Sequence, residues 1–392
     1  MTRGPHSALA RRLRSVRAPE EAQSEERTWG VVRRVFAERP ATRRGRRLRP
    51  RLALAPVGAL LVGVLALTPA GAAVHSWIDR TLGVRHARTA LFSLPAPGRI
   101  LVSGDSGTWT VATDGVRRRL GPWPVATWSP HGEYVAVASP DELTAVDTKG
   151  TLRWSIPRRA VALPRWFAPD GYRVAYLSGT TLRVIAGDGT GDHLLARQVA
   201  QGVAPAWQPG HRYELGYVRT GPGARETVVV GNADTRALAW SHQLAGRIQE
   251  LSWSADGTRL LALTGATAVV MDPAGRVTMR VRAASGDRWR DAALSPDGRQ
   301  LALLGTRSVE LAPTSGHGIP RPLFTGAGLG QLSWSPDGNW LLVTWPAADQ
   351  WVFLRASGTP RIVAVSRIAR QFGARAVPTL DGWCCSAEGS AS

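Results

Sequence analysis

The sequence predicts an all-β fold of repeated four-stranded units, preceded by one membrane-spanning helix. A 23-residue uncharged segment occupies 52–74, and after it a motif related to Ser-Pro-Asp-Gly recurs six times at steps of 39 to 46 residues. A unit of about 40 residues with four strands is typical of one blade of a β-propeller. We therefore expect a seven-bladed β-propeller, with six or eight blades as alternatives.

Residues 1–51 form an arginine-rich tail. They hold 15 Arg against 5 Glu, so half of the net charge of +20 lies in this part of the 392-residue chain. Trp29, Val32, Val35 and Phe36 recur at helical spacing, which predicts an amphipathic helix over about 18–38. Such a helix could lie on the inner leaflet, bind a cytosolic partner, or only lead into the next segment.

The segment 52–74 is long enough to cross a bilayer, because a helix rises 1.5 Å per residue and the hydrocarbon core is about 30 Å thick. Seven arginines precede it within about fifteen residues, whereas fewer positive charges follow it. This asymmetry predicts a single-pass anchor with the N-terminus inside and the remainder exported. A cleavable signal ending near the small residues 70–73 is the alternative. Residues 75–88 would be a linker.

The repeats predict a propeller over 89–385. The six turn motifs begin at Ser129, Ala168, Gln208, Ser254, Ser295 and Ser335. In five units the preceding strand ends in tryptophan, at Trp128, Trp166, Trp207, Trp253 and Trp334. Proline, aspartate and glycine then favour a tight turn into the second strand.

One further blade lies before the first full unit, where 99–121 resembles strands two to four. Its first strand could be either 87–94 or a C-terminal segment between 370 and 383 that closes the ring. Both options give seven blades, and closure would remove exposed strand edges. Residues 386–392 are expected to be disordered.

The repeats resemble the WD40-like, TolB-type propeller repeat over roughly residues 90–385. The strings LPAPGRILVSG, RTLGVR and GWCC are also similar to a group of anchored propeller proteins from high-GC bacteria. The resemblance implies a propeller that serves as a non-catalytic binding platform.

No catalytic, cofactor or metal motif accompanies the repeats. The string Gly104-Asp105-Ser106-Gly107 matches the surroundings of a protease nucleophile, but it lies where a strand connection is expected and no partner motif for a triad accompanies it. The histidines lack metal-binding spacing. The adjacent Cys384 and Cys385 could form a vicinal disulfide, remain free thiols, or bridge two molecules.

Binding is expected on the face that carries the connections between strands two and three and between successive blades. The candidate residues on these connections are Trp123, Arg288, Trp289, Arg290, Trp345 and Asp349. Exposed tryptophan and arginine are frequent hot-spot residues, although propeller tryptophans commonly pack between blades. Nucleic acid is not expected as a partner, because the densest positive charge lies beside the predicted bilayer.

The sequence therefore favours a membrane-anchored, non-catalytic binding protein that acts outside the cytoplasmic membrane on an envelope protein, peptide or wall component. The alternative is a transmembrane signalling regulator with an architecture like that of an anti-sigma factor. In that case the propeller would be the sensor, and the tail around Trp29 to Phe36 would hold a cytosolic partner.

Overall fold

The computed structural model describes residues 87–385 except 89, 92, 222–224 and 316–318. Within these residues, 28 strands form seven four-stranded antiparallel sheets. The inner strands of successive sheets contact one another in a closed ring. The predicted all-β fold and the number of seven blades are therefore confirmed.

The first four blades follow one another along the chain. Blade 1 contains β1 (Arg99–Ser103), β2 (Thr108–Val111) and β3 (Arg117–Gly121). Blade 2 contains β4 (Val125–Trp128), β5 (Tyr134–Ser139), β6 (Glu142–Asp147) and β7 (Leu152–Pro157). Blade 3 contains β8 (Val161–Trp166), β9 (Arg173–Ser178), β10 (Thr181–Ala186) and β11 (His193–Arg197). Blade 4 contains β12 (Ala206–Trp207), β13 (Glu214–Thr220), β14 (Glu226–Asn232) and β15 (Leu238–Leu244).

The remaining blades complete the ring. Blade 5 contains β16 (Ile248–Trp253), β17 (Leu260–Thr264), β18 (Thr267–Met271) and β19 (Val277–Arg282). Blade 6 contains β20 (Asp291–Leu294), β21 (Gln300–Leu304), β22 (Ser308–Pro313) and β23 (Arg321–Thr325). Blade 7 contains β24 (Leu332–Trp334), β25 (Trp340–Trp345), β26 (Gln350–Arg355) and β27 (Ile362–Ser366). A 3₁₀ turn (Pro346–Ala348) joins β25 to β26, and a single helical turn, α1 (Ile368–Gln371), precedes β28 (Thr379–Cys384).

The last strand of the chain closes the ring. β28 pairs antiparallel with β1 and is the inner strand of blade 1. Of the two segments predicted as the first strand of blade 1, the C-terminal one is therefore correct and 87–94 is wrong. That segment instead lies against blade 7, where Arg88 N donates to Ala364 O and Arg88 O accepts from Ser366 N, each at 2.8 Å.

Cys384 and Cys385 are joined by a vicinal disulfide at the end of β28. This is one of the three states that the sequence allowed. Cys385 Sγ lies 3.1 Å from Pro130 O. The disulfide therefore packs on the first turn of blade 2.

The repeated turns are stabilised by their own serine and aspartate side chains. In blade 6 the Ser295 hydroxyl donates to Asp297 Oδ1 at 2.6 Å and accepts from Gln300 N at 2.9 Å. Gly298 adopts φ +64°, in the left-handed region that glycine favours. In blade 4, whose motif departs most from the pattern, the inner strand β12 has only two residues.

Seven hydrophobic clusters lie between neighbouring blades, one at each interface. The cluster between blades 7 and 1 contains 15 buried residues, whereas that between blades 2 and 3 contains only six. The interface between blades 2 and 3 thus has the fewest fully buried apolar residues, and four partly buried ones, including Trp154 and Trp166, pack against them.

The two faces of the propeller carry different connections. We call the face with the connections between second and third strands and between successive blades the crossover face. The opposite face, with the turns between first and second and between third and fourth strands, is the turn face. The Ser-Pro-Asp-Gly motifs lie on the turn face.

The predicted tail, amphipathic helix, membrane segment 52–74, most of the linker, and the C-terminal residues 386–392 lie outside the described residues. Among the residues that the structure does describe, no helix is both long and apolar enough to span a bilayer. The anchor and its orientation stay predictions.

Candidate functional site

The six residues predicted for binding lie at crossover-face connections of different blades. Trp123 follows blade 1, residues 288–290 join blade 5 to blade 6, and Trp345 and Asp349 flank the 3₁₀ turn of blade 7. The three tryptophans pack against three different hydrophobic clusters. The fold therefore does not bring the six together into one site.

Two of the tryptophans are buried, which agrees with the alternative that propeller tryptophans pack between blades. Trp345 is fully buried, where its indole N–H donates to Ala327 O at 2.8 Å and its ring meets Phe324 edge to face. Trp289 is 4 % exposed and lies in the cluster between blades 5 and 6. Both side chains fill the gap between adjacent sheets, so packing between blades explains why tryptophan occupies these positions.

The other four candidates keep part of their surface open to solvent. Arg288 and Arg290 are exposed, and Trp123 and Asp349 are half-buried. Asp349 adopts φ +51°, and its Oδ1 accepts from Ala369 N at 2.8 Å at the start of α1. Asp349 thus stabilises the connection that leads to the closing strand, and a binding role for these four residues stays a prediction.

A pocket of about 650 Å³ opens on the turn face between blades 2 and 3. Four aromatic side chains line it, namely Tyr134, Trp154, Trp166 and Tyr172. Tyr172 is 62 % exposed, and the two tryptophans are half-buried. Clefts lined by aromatic side chains with a few polar groups are the usual form of a binding site. This pocket lies on the face opposite to the one that the sequence favoured.

The pocket exists because the two tryptophans only partly fill this interface, whose cluster has the fewest fully buried residues. Trp154 Nε1 donates to Gly187 O at 2.8 Å, which fixes the ring of blade 2 against a turn of blade 3. A Cβ atom on Gly189, which has φ +86°, would lie 2.7 Å from the Trp154 ring. The glycine-rich turn 187–191 therefore allows the close approach of the indole.

The rim of the pocket carries unbalanced negative charge. Its two arginines, Arg153 and Arg173, already form ion pairs outside the pocket lining, with Asp147 at 3.0 Å and Asp234 at 3.1 Å. The rim also carries three acidic residues, Glu133, Asp170 and Asp188. None of the three forms an ion pair with the described residues. Hydrogen bonds from Thr190 lower the pKa of Asp188, so this carboxylate is charged at neutral pH.

A buried ionic cluster stabilises the same interface. Asp192, whose side chain is 9 % exposed, accepts from Tyr176 OH and from Arg183 Nη2, each at 2.8 Å. Arg158 of the connection from blade 2 donates to the same carboxylate, with Nε at 2.8 Å. Burial opposes the charged form of Asp192, but these hydrogen bonds outweigh it and lower its pKa. Burial and Asp192 raise the pKa of Tyr176 to about 12.

The inner strands bring four ionisable side chains to the middle of the ring, namely Arg165, Glu250, Asp291 and Asp381. Two of the carboxyl groups bond to the next inner strand: Glu250 Oε2 accepts from Ala292 N at 3.3 Å, and Asp291 Oδ2 accepts from Leu332 N at 2.6 Å. They therefore satisfy backbone donors on strand edges that have no neighbouring strand. Burial raises the pKa of both and raises that of Asp381 to about 8.

The protease-like string forms a strand connection, as predicted. Gly104 and Gly107 join β1 to β2 through reciprocal backbone hydrogen bonds of 3.0 and 3.2 Å. The Ser106 hydroxyl accepts from Trp109 Nε1 at 3.2 Å. Across the described ranges, no group of three His, Cys, Asp or Glu side chains is placed to hold a metal ion.

No protein-family model matches the sequence, and no curated protein does. Solved propellers do match the structure. The β-propeller domain of Cps50 (Swd1) from Myceliophteria thermophila has a TM-score of 0.55 at 14% identity, covering 69% of this chain and 97% of its own. A chain of the mitotic checkpoint complex has a TM-score of 0.52 at 14% identity, with 83% and 89% covered. Hydrazine synthase from Kuenenia stuttgartiensis has a TM-score of 0.48 at 15% identity, with 59% and 75% covered. The first two matches agree with the β-propeller fold of the described residues.

Proposed function

We propose that this protein is a non-catalytic binding scaffold, anchored by residues 52–74, whose propeller acts outside the cytoplasmic membrane. It would hold an envelope protein, peptide or wall component in the pocket between blades 2 and 3. The observation that carries the proposal is this pocket, because it combines an aromatic lining with charged groups at its rim. A WD40-type propeller supports a binding role in general, and the anchor rests on the sequence pattern.

Site-specific photo-crosslinking in producing cells tests the binding role. A photoreactive phenylalanine analogue would replace Tyr172 at the pocket or Leu238 on the outer strand of blade 4. The two positions are matched, since Tyr172 is 62 % and Leu238 65 % exposed. We expect a defined adduct from position 172 and none from position 238. Equal labelling from both, or none from 172, would contradict a pocket-based function.

Protease protection tests the location. In cells whose outer layers have been removed, an external protease should digest the propeller and leave a fragment that carries the N-terminal tail. Protection of the propeller in these same cells, with digestion only after lysis, would show the opposite orientation.

The signalling alternative rests on the predicted amphipathic helix of the tail. A cytosolic protein captured by the full-length chain, and lost when Trp29 and Phe36 are both replaced by alanine, would favour it. Unchanged capture in that variant would leave the tail with a targeting role.

A further inference from the structure

The two faces of the propeller carry opposite charge. On the crossover face, the connections hold nine exposed arginines and two exposed aspartates, a net charge of +7. The connections of the turn face hold six exposed basic and eight exposed acidic residues, a net charge of −2. Positive charge that is dispersed along the sequence is thus concentrated on one face by the fold.

The arginines of the crossover face are distributed around the ring, with the largest group between blades 7 and 1. Three of the nine lie in the connection 367–378, two in 283–290, and one each in 158–160, 221–225, 245–247 and 305–307. Arg367, Arg370 and Arg375 are exposed, and none forms an ion pair with the described residues. Their charge is therefore available to an external partner.

The N-terminal segment meets the propeller beside this group. Arg88 is hydrogen-bonded to the end of β27, and Arg367 directly follows that strand. Gln371 of α1 accepts from Leu91 N at 3.4 Å, so the segment continues past the helical turn. Thirteen residues lie between Val74 and Arg88, and this linker can span at most about 50 Å when extended. A linker of this reach allows the crossover face to contact the bilayer that the predicted anchor would cross.

We propose that the crossover face lies against an anionic lipid surface, so that the turn face and its aromatic pocket point away from the membrane. This proposal rests on the membrane anchor of the proposed function. Arginines near an anionic surface strengthen binding by about fivefold each, and the attraction decays within a Debye length of about 8 Å at physiological salt. The contact would orient a propeller that a flexible linker alone would leave free to rotate.

Energy transfer to lipid tests the orientation with the full-length chain in liposomes. A donor dye would be attached at Ser285→Cys on the crossover face or at Thr359→Cys on the turn face, and the acceptor would be a labelled lipid. With phosphatidylglycerol liposomes we expect stronger transfer from position 285 than from 359. This difference should shrink with phosphatidylcholine alone or at 1 M salt.

A pair of triple variants with the same net charge separates face-specific contact from general attraction. R367Q/R370Q/R375Q removes three charges from the crossover face, and K149Q/R299Q/R361Q removes three from the turn face. The first variant should lower the apparent affinity of the propeller for phosphatidylglycerol, as judged from the lipid-dependent transfer, at least tenfold. The second variant should keep this affinity within about twofold of the wild-type value. Equal behaviour of the two variants, or equal transfer with both lipids, overturns the proposal.

Two further outcomes are distinguishable. If the chain does not insert, the anchor is wrong, and sedimentation of the same variants with phosphatidylglycerol vesicles still compares the two faces, since the tail is unchanged. If stoichiometric polyglutamate or a short RNA abolishes the transfer difference, the basic face binds an acidic polymer, and the lipid assignment is wrong.

Discussion

Replacement of Asp192 by asparagine should destabilise the propeller at the interface between blades 2 and 3. The substitution conserves size but removes the charge that three donors share, and it turns one acceptor into a donor that faces a guanidinium. Charge-assisted hydrogen bonds contribute about 1.5 to 3 kcal/mol each, and breaking a buried ion pair costs about 3 to 5 kcal/mol. Arg158 is 39 % exposed, so its share must be discounted for solvent screening. We expect a loss of about 3 kcal/mol.

Thermal unfolding of the purified full-length chain, followed by near-ultraviolet circular dichroism, measures this loss. For a domain of this size, 3 kcal/mol corresponds to a decrease in Tm of about 5 °C. The matched control is Asp234→Asn, because Asp234 accepts two hydrogen bonds from Arg173 while both side chains are about one-third exposed. That variant should lose less than about 1 kcal/mol. An Asp192→Asn variant no less stable than the control would refute the reasoning.

The same cluster sets a pH dependence. Because the folded-state pKa of Asp192 is lowered, its contribution is present above the unfolded pKa of about 3.9 and is lost as the pH falls through the folded value. The difference in Tm between the wild-type chain and Asp192→Asn should therefore shrink on acidification below about pH 4. A difference that stays constant down to pH 2 would exclude an ionic origin.

Three more changes probe other parts of the ring. Gly257→Ala should lower the free energy of unfolding by at least about 2 kcal/mol in denaturant, because φ is +69° and the new Cβ would lie 2.2 Å from Pro209 O. The control Gly286→Ala, with φ +80° in open space, should lower it by about 1 kcal/mol. Equal losses in the two variants would contradict the steric argument. Burial raises the pKa of Asp381 to about 8, so its protonated form stabilises the fold below about pH 4, and this contribution is lost as the pH rises towards 8. The Tm of Asp381→Asn should therefore increase relative to that of the wild type between pH 5 and pH 9. Parallel curves of Tm against pH for the two proteins would refute this. Truncation after residue 378 removes β28 with the buried Trp383, so size-exclusion chromatography should show aggregation, whereas truncation after residue 385 should leave a monodisperse protein.

The repeat period made the blades predictable because each blade is specified locally. The five tryptophans that the sequence places at the end of a first strand are the last residues of β4, β8, β12, β16 and β24. Ring closure could only be narrowed to two options. The choice depends on pairing between segments about 280 residues apart, which no local pattern specifies.

The site was less predictable, because burial between blades depends on the neighbouring sheet. Trp345 and Tyr172 both belong to connections or strand ends in the sequence, yet one is fully buried and the other is 62 % exposed. The sequence presents the motif that begins at Ala168 and bears Asp170 only as an element of the fold, and no local pattern indicates that Asp188 lies nearby. Their place at a pocket arises because two tryptophans incompletely fill one interface, and the only local signal was the glycine-rich string at 187–191.

The attachment of Arg88 to blade 7 has a mechanical consequence. Tension applied through the N-terminal segment would reach β27 first, through two backbone hydrogen bonds at the outer edge of that blade. The ring itself is closed elsewhere, by β28 on the inner edge of blade 1. The segment that bears the load and the strand that closes the ring are therefore separate. When the N-terminal segment is pulled, the hydrogen bonds of Arg88 to β27 should break before the pairing of β28 with β1.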